Sequence, residues 1–227
     1  MEKLQLPSPV NHYHFVCATP LSQYKFEKSQ FNLFLDKFAY KNYTIVYSNK
    51  EGLPKVYNKF FTEDHKGKKI IFIHDDVLIE DLFWQEKLDI AFEKYDIVGL
   101  AGSKKIDRSR PPAWHLMSNK EDIVGEVAHA YEGKTWTTVF GPTDSRALVL
   151  DGLFIAVDVD KALSTNTTFD EDFDFHHYDI SFCLRANNNK LKMGVAPIKV
   201  VHFGLGDSMN TPEWNSSAAR FNLKYNQ

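Results

Sequence analysis

The sequence predicts an α/β fold with a mixed, mainly parallel central sheet flanked by helices. Three observations carry this expectation. Over residues 10–105, short β-branched runs alternate with stretches of helical periodicity, the pattern of parallel βαβ units with right-handed crossovers. One run, Ile70 to His74, is almost wholly apolar and then breaks into two adjacent carboxylates, Asp75 and Asp76. A strand buried on both faces that delivers charge at its carboxyl end reads this way, and in open α/β sheets that edge is where ligands bind. Finally, 227 residues with 43% hydrophobic and 25% charged content suit one large globular domain over 1–227.

The elements follow in order. His14 to Thr19 is the first expected strand, stopped at Pro20, which cannot donate to a ladder. Phe31, Phe34, Leu35 and Phe38 recur at helical spacing, so Glu27 to Phe38 reads as an amphipathic helix. Tyr43 to Tyr47 is the second strand, closing at Ser48 and Asn49. Lys50 to Gly67 is mixed, with a short helix around Val56 to Phe61. After the acid-tipped strand, Asp81 opens a helix with Trp84, Leu88, Ala91 and Tyr95 on one stripe. Ile97 to Ala101 is the next strand, closed by Gly102.

Ser103 to Pro112 is rich in Lys and Arg and carries two prolines. It reads as a mobile surface loop whose basic residues could close over phosphates. The second half is less regular. Glu126 to Tyr131 and Thr137 to Phe140 read as strands around a hairpin, and Arg146 to Val157 as a long apolar stretch interrupted at Asp151 and Gly152. An acid-dense loop, Phe169 to Asp179, leads into a helix from Tyr178 to Asn187 with Ile180, Cys183 and Leu184 inward. Val195 to Phe203 is a strand ending at His202, followed by Gly204, Leu205 and Gly206. Thr211 and Pro212 suit the cap and first position of a last helix reaching Tyr225.

Three constellations carry chemistry. Asp75 and Asp76 at a strand end need a partner, and a divalent metal carrying a phosphorylated ligand is the natural one. Successive strand side chains face opposite ways, so both act on one site only if the backbone turns there. The division that fits is Asp76 on the metal and Asp75 on a ribose hydroxyl. His202 ends another strand, and a neutral imidazole ligates Mn²⁺ well. Asp179 opens a helix with an apolar inward face, which fixes its position as a general base requires. Asp172 and Asp174 read as solvated loop acids. His12 with His14, and His176 with His177, make poor metal pairs, since no further ligand motif accompanies them.

Several classes are excluded. A net charge of −3 and a pI near 6.3 leave no basic footprint for nucleic acid. Cys17 and Cys183 read as buried free thiols rather than a disulfide. The first residues lack a signal-peptide core, and no apolar run is long enough to span a membrane. These features point to a cytoplasmic protein. Oligomeric state is not encoded legibly.

The ordered set IIFIHDDV, LDGLFIAV, FDEDFDFHHYDISFCLRA and VVHFGLG resembles the GT-A-fold, Rossmann-like nucleotide-sugar glycosyltransferases of the family-2-like group, over Phe15 to Gly206. The resemblance implies a nucleotide-binding half at about 10–105 and an acceptor-binding half at about 106–227. It implies a UDP-, GDP- or dTDP-sugar donor, a carbohydrate or glycan acceptor, and Mn²⁺ or Mg²⁺. His74-Asp75-Asp76 stands where the family has its metal-binding DxD motif, with His74 replacing the first acid. Asp76 and His202 then match metal ligands, and Asp75 a ribose or metal-shell contact. Tyr178-Asp179 stands where the family has a Glu-Asp pair, keeping the catalytic Asp179 and losing the Glu. Asp151 matches a sugar-binding position and Trp114 an aromatic beside the acceptor. Ala18, Thr19 and Pro20, with Ser48 and Asn49, match the nucleobase pocket. The implied reaction is an inverting displacement. The rivals are a nucleotidyltransferase, which would carry a glycine-rich loop where ATPLSQYKF stands, and a catalytically silent sugar- or nucleotide-binding module.

Overall fold

The computed structural model describes residues 12–204 and 209–226. Leu205 and Gly206, expected after the last strand, lie outside these. β1 (Tyr13–Ala18) leads through one helical turn, α1 (Gln23–Phe26), into α2 (Gln30–Lys37). The helix expected from Glu27 starts at Gln30 because Ser29 caps it, its hydroxyl accepting from the Asn32 N–H at 3.2 Å. β2 (Tyr43–Val46) precedes α3 (Leu53–Asn58). That helix begins before the expected Val56, since Pro54 is preorganised for a first turn. β3 (Lys69–Ile73) ends in a turn at Asp75 and Asp76, and β4 (Val77–Ile79) resumes beyond it. α4 (Trp84–Phe92) starts after Asp81 rather than at it; the Asp81 carboxylate accepts from the Phe83 N–H at 3.0 Å.

The expected strand Ile97 to Ala101 is two strands, β5 (Ile97–Gly99) and β6 (Ala101–Ser103). The hairpin is longer than expected, β7 (Ile123–Tyr131) and β8 (Lys134–Val139). The apolar stretch from Arg146 yields β9 (Ser145–Ala147), β10 (Val149–Leu150) and β11 (Phe154–Asp158), then α5 (Val159–Ser164). α6 (Tyr178–Asn188) is where the pattern placed it. Pro197 divides the last expected strand into β12 (Met193–Val195) and β13 (Val200–His202). α7 (Pro212–Tyr225) is capped by Thr211, whose hydroxyl accepts from the Trp214 N–H at 3.1 Å.

The strands form two sheets. The first has the order β2-β1-β3-β11-β5-β12-β9. β1, β2, β3, β5 and β12 point one way, while β11 and β9 run counter. The second has the order β10-β6-β7-β13-β4, with β8 added on β7. The chain steps from the first sheet to the second at β3–β4, β5–β6, β9–β10 and β12–β13. Gly125 permits one such step. Its φ is +99°, and a Cβ there would lie 2.0 Å from the Leu100 carbonyl oxygen at the β5–β6 bend.

β3 is buried on both faces, as its unbroken apolar run requires: Ile70, Ile71, Phe72 and Ile73 are all fully buried. Phe15, Phe34, Tyr40 and Trp84 interlock on one face of the sheet. Phe72, Tyr57, Phe169 and Phe182 do so on the other, with the Phe169 and Phe182 rings stacked at 4.0 Å. Each such pair contributes about 0.5–1.5 kcal/mol beyond its area. This holds the sheet edge where β3 delivers its acids.

Candidate active site

A cavity of about 530 Å³ collects residues from the β3–β4 turn, the β7–β8 hairpin, the start of α6 and the end of β13. Asp76, Trp114, Asp151, Asp179 and His202, separated by up to 126 positions (202 − 76), all line it. So do six of the nine histidines: His74, His115, His129, His176, His177 and His202.

The backbone turns at Asp75 and Asp76, so the two acids part company. Asp76 faces the cavity. Its Oδ2 lies 3.2 Å from His202 Nε2. Burial opposes charge on Asp76, but the His202 hydrogen bond and the neighbouring His74 and His202 prevail and hold its pKa below the usual range. Burial likewise opposes the charged His202, and the Asp76 carboxylate overrides it, raising the imidazole pKa. Asp76 Oδ1 is buried without a hydrogen-bond partner. Gly204 lies beside the pair: a Cβ there would be 3.4 Å from His202 Nε2 and 3.5 Å from Asp76 Oδ2. Among the described residues, no group of three or more His, Cys, Asp or Glu is placed to hold a metal ion. The donor set is therefore one carboxylate, with an unpartnered oxygen, and one imidazole. That fits an ion whose remaining positions are filled by phosphate oxygens and water, as for Mg²⁺ or Mn²⁺ on a nucleotide.

Asp75 faces elsewhere. It accepts from the Thr19 hydroxyl, at the carboxyl end of β1. Around it, the Asn49 N–H donates to the Thr19 carbonyl at 2.8 Å and the Ser48 N–H to the Leu21 carbonyl at 2.8 Å. Thr19 is fully buried, Ala18 half-buried, and Pro20 and Ser48 exposed. Ala18, Thr19, Pro20, Ser48, Asn49 and Asp75 thus gather at the ends of the first three strands, outside the cavity lining.

His74 and Tyr178 are partners. The Tyr178 hydroxyl donates to the Gly152 carbonyl at 2.7 Å. Its oxygen is 3.0 Å from His74 Nε2 and, having one proton already placed, accepts from the Nε2–H. Burial lowers the His74 pKa, so the ring is neutral. Gly152 has to be glycine: a Cβ would lie 2.5 Å from the Tyr178 hydroxyl.

The remaining pair is Asp151 and Asp179. Asp151 accepts from Trp114 Nε1–H at 2.9 Å and from the Leu153 N–H at 3.0 Å. Asp179, in the first turn of α6, accepts from the Gly152 N–H at 3.2 Å. Burial first, and then the Asp151 carboxylate, push the Asp179 pKa up to about 7. Burial and the neighbouring Asp151 carboxylate thus outweigh the backbone N–H groups that Asp179 accepts from, and the Asp179 carboxyl is the one poised near neutrality.

The acidic loop is braced rather than free. Lys224 of α7 lies 2.7 Å from Asp170 and 2.6 Å from Asp172, and Arg220 donates to the Asp172 carbonyl. Asp172 is exposed, as expected of a solvated loop acid, and is also ion-paired to Lys224. The basic loop is likewise tied down. Arg108 donates to the Tyr225 carbonyl at 2.9 Å, and Arg110 to the Ser118 carbonyl at 3.0 Å and to Asn119 at 2.8 Å.

Sequence reasoning missed His129, Trp136, His177 and Trp214 as cavity residues. A signal existed in the hairpin. Val127 and His129 on β7, and Trp136 and Thr138 on β8, recur at period two and pair in register. His177 and Trp214 carry no local signal, because α7 meets the α6 loop only through the tertiary fold.

The chain matches the model of a glycosyltransferase-like family over residues 38–220. Its fold is similar to that of A197 from STIV, with a TM-score of 0.53 and 15% identity over 86% of this chain and 87% of that one. It is also similar to GalNAc-T7, crystallised with UDP, GalNAc and Mn²⁺, with a TM-score of 0.50 and 10% identity over 88% of this chain; it spans 39% of that chain. No curated protein matches by sequence. No helix among the described residues is long and apolar enough to cross a membrane. The chain belongs to the glycosyltransferase-like family and is a glycosyltransferase of GT-A fold.

Proposed function

We propose that this glycosyltransferase moves a sugar from a UDP-, GDP- or dTDP-sugar to a hydroxyl of a carbohydrate or glycan acceptor, with inversion and with Mn²⁺ or Mg²⁺, in glycan or polysaccharide synthesis. The observation that carries the reading is the Asp179 carboxyl, raised to about 7, in one cavity with the Asp76–His202 pair. A base poised near neutrality is what proton removal from a hydroxyl requires.

Asp76 and His202 would hold the ion together with the donor diphosphate, and the ion would neutralise charge on the departing nucleoside diphosphate. Asp179 takes the proton of the acceptor hydroxyl. The acceptor oxygen bonds to the anomeric carbon as the bond to the diphosphate oxygen breaks, on the opposite face. Asp151 and Trp114, joined at 2.9 Å, position the sugar. Asp75 meets the ribose, and Ala18, Thr19, Pro20, Ser48 and Asn49 shape the nucleobase pocket. In this assignment buried Thr19 acts through Asp75 rather than by its own surface. The two free, buried cysteines suit a cytoplasmic location.

A thermal-shift panel of UDP, GDP, dTDP and CMP, each with and without Mn²⁺, tests the donor site. A ligand that binds the native state raises the melting point by mass action. One nucleotide should stabilise the protein in a Mn²⁺-dependent way. Equal shifts with and without metal would remove Asp76 and His202 from the metal role.

A further inference from the structure

His177 is held in an unusual state. It precedes α6 with φ +65°, in the left-handed region, where histidine is among the better tolerated non-glycine residues. The residue is 5% exposed, and its ring packs between Trp214 at 5.1 Å and Phe221 at 5.9 Å. Its tautomer follows from a relay. Ser217 of α7 has one hydroxyl proton and donates it to the His176 carbonyl at 2.9 Å. At the 2.8 Å contact with His177 Nδ1, Ser217 Oγ can then only accept. Nδ1 carries the proton, and Nε2 is left as a lone pair. That lone pair is buried with no partner. Burial, followed by the adjacent His176, lowers the ring pKa to about 4, so Nε2 stays unprotonated at neutral pH.

A buried acceptor without a donor is destabilising. Here the Ser217 relay fixes it as an acceptor, and the ring is packed against Trp214 and Phe221. His177 lines the cavity, two positions before Asp179. We propose that His177 Nε2 accepts a hydrogen bond from a hydroxyl or amide N–H of the acceptor sugar, making His177 a specificity-determining residue of the transfer. This rests on the reading of the cavity as the acceptor site. A polar group built to meet a donor rejects analogues lacking it, because the lone pair then stays unmet.

The test uses the full chain with ¹⁵N-labelled histidine and tryptophan, titrated with methyl glycosides of glucose, galactose and mannose and their 2-acetamido forms. A glycoside that moves the Trp114 and Trp214 indole signals should also move His177 Nε2 from a free to a hydrogen-bonded pyridine-type shift. Ser217→Ala, which releases the tautomer from α7, should weaken that glycoside about tenfold, the worth of one neutral hydrogen bond. His177→Asn, which tolerates the left-handed backbone, should weaken it comparably. Indoles that respond while Nε2 does not, or an affinity unchanged in both variants, would overturn the role of His177 and leave the acceptor site standing. Silence of every cavity signal with all six glycosides would remove the acceptor site itself, and the proposal with it.

Discussion

His74 Nε2–H donates to the Tyr178 hydroxyl across 3.0 Å, and that hydroxyl in turn donates to the Gly152 carbonyl. The turn bearing Asp76 and the helix bearing Asp179 are thereby bolted together. His74 and Tyr178 form one hydrogen-bonded unit, and His74 has its Nε2 proton committed away from any metal.

Tyr178→Phe should then destabilise the protein by about 1–3 kcal/mol, since the Gly152 carbonyl and the His74 N–H are both left unmet. A double-mutant cycle with His74→Ala, read by urea denaturation, should show a coupling of about 0.5–1.5 kcal/mol. Strict additivity would mean the contact carries no energy.

The pH profile of transfer should have an acid limb near 7, with rate rising as Asp179 loses its proton. Asp151→Asn removes the charge that helps raise that pKa, so the limb should move to lower pH. A limb that stays in place in the variant would remove Asp151 as a cause of the shift.

Asp179 also links stability to pH. Its folded pKa, about 7, is raised above the 3.8 of a free carboxyl, so the folded state binds the proton more tightly. The corresponding stability is full below the unfolded value and is lost as pH rises through 7. Asp179→Asn should therefore be more stable to urea than the wild type at pH 8, by at most about 4 kcal/mol, and the gap should shrink towards pH 4. A gap that widens in acid would reverse the sign and contradict the burial of the carboxyl.

Lys224→Ala should loosen the loop ahead of α6. Asp170 is 4% exposed and is paired to Lys224 and to the Tyr225 hydroxyl at 2.5 Å. Burial opposes its charge, but these partners hold its pKa down. Losing the half-exposed lysine should cost about 1–3 kcal/mol near neutrality. The loss should fade as pH falls through the carboxylate range, and Asp170→Asn in the same chain should recover part of it. A loss independent of pH would point to packing of the lysine stem instead.

Much of the fold was legible because burial writes itself into residue type. The Ile70–Ile73 run, the helical spacing of Phe31, Phe34 and Leu35, and the Thr211 cap all occur as their chemistry dictates. What escaped was the exchange between sheets. Ile97 to Ala101 and Val195 to Phe203 read as single strands because apolar content does not reveal a bend at Leu100 or a change of partner at Pro197. Residues of the candidate site were legible where an acid follows a strand, at Asp76, and where one opens a helix, at Asp179. The site was opaque where it depends on distant elements meeting. The His74–Tyr178 contact spans 104 positions, and the His177–Ser217 contact spans 40.

The most direct measurement is Asp179→Asn assayed twice, by sugar transfer and by Mn²⁺-dependent nucleotide binding. The amide keeps the shape of the carboxyl and its place beside the Gly152 N–H, but cannot take a proton at neutral pH. Transfer should fall by at least about a hundredfold, the lower end of what a general base contributes, while nucleotide affinity stays within a factor of about two. Retained turnover with intact binding would contradict the central claim that Asp179 is the base.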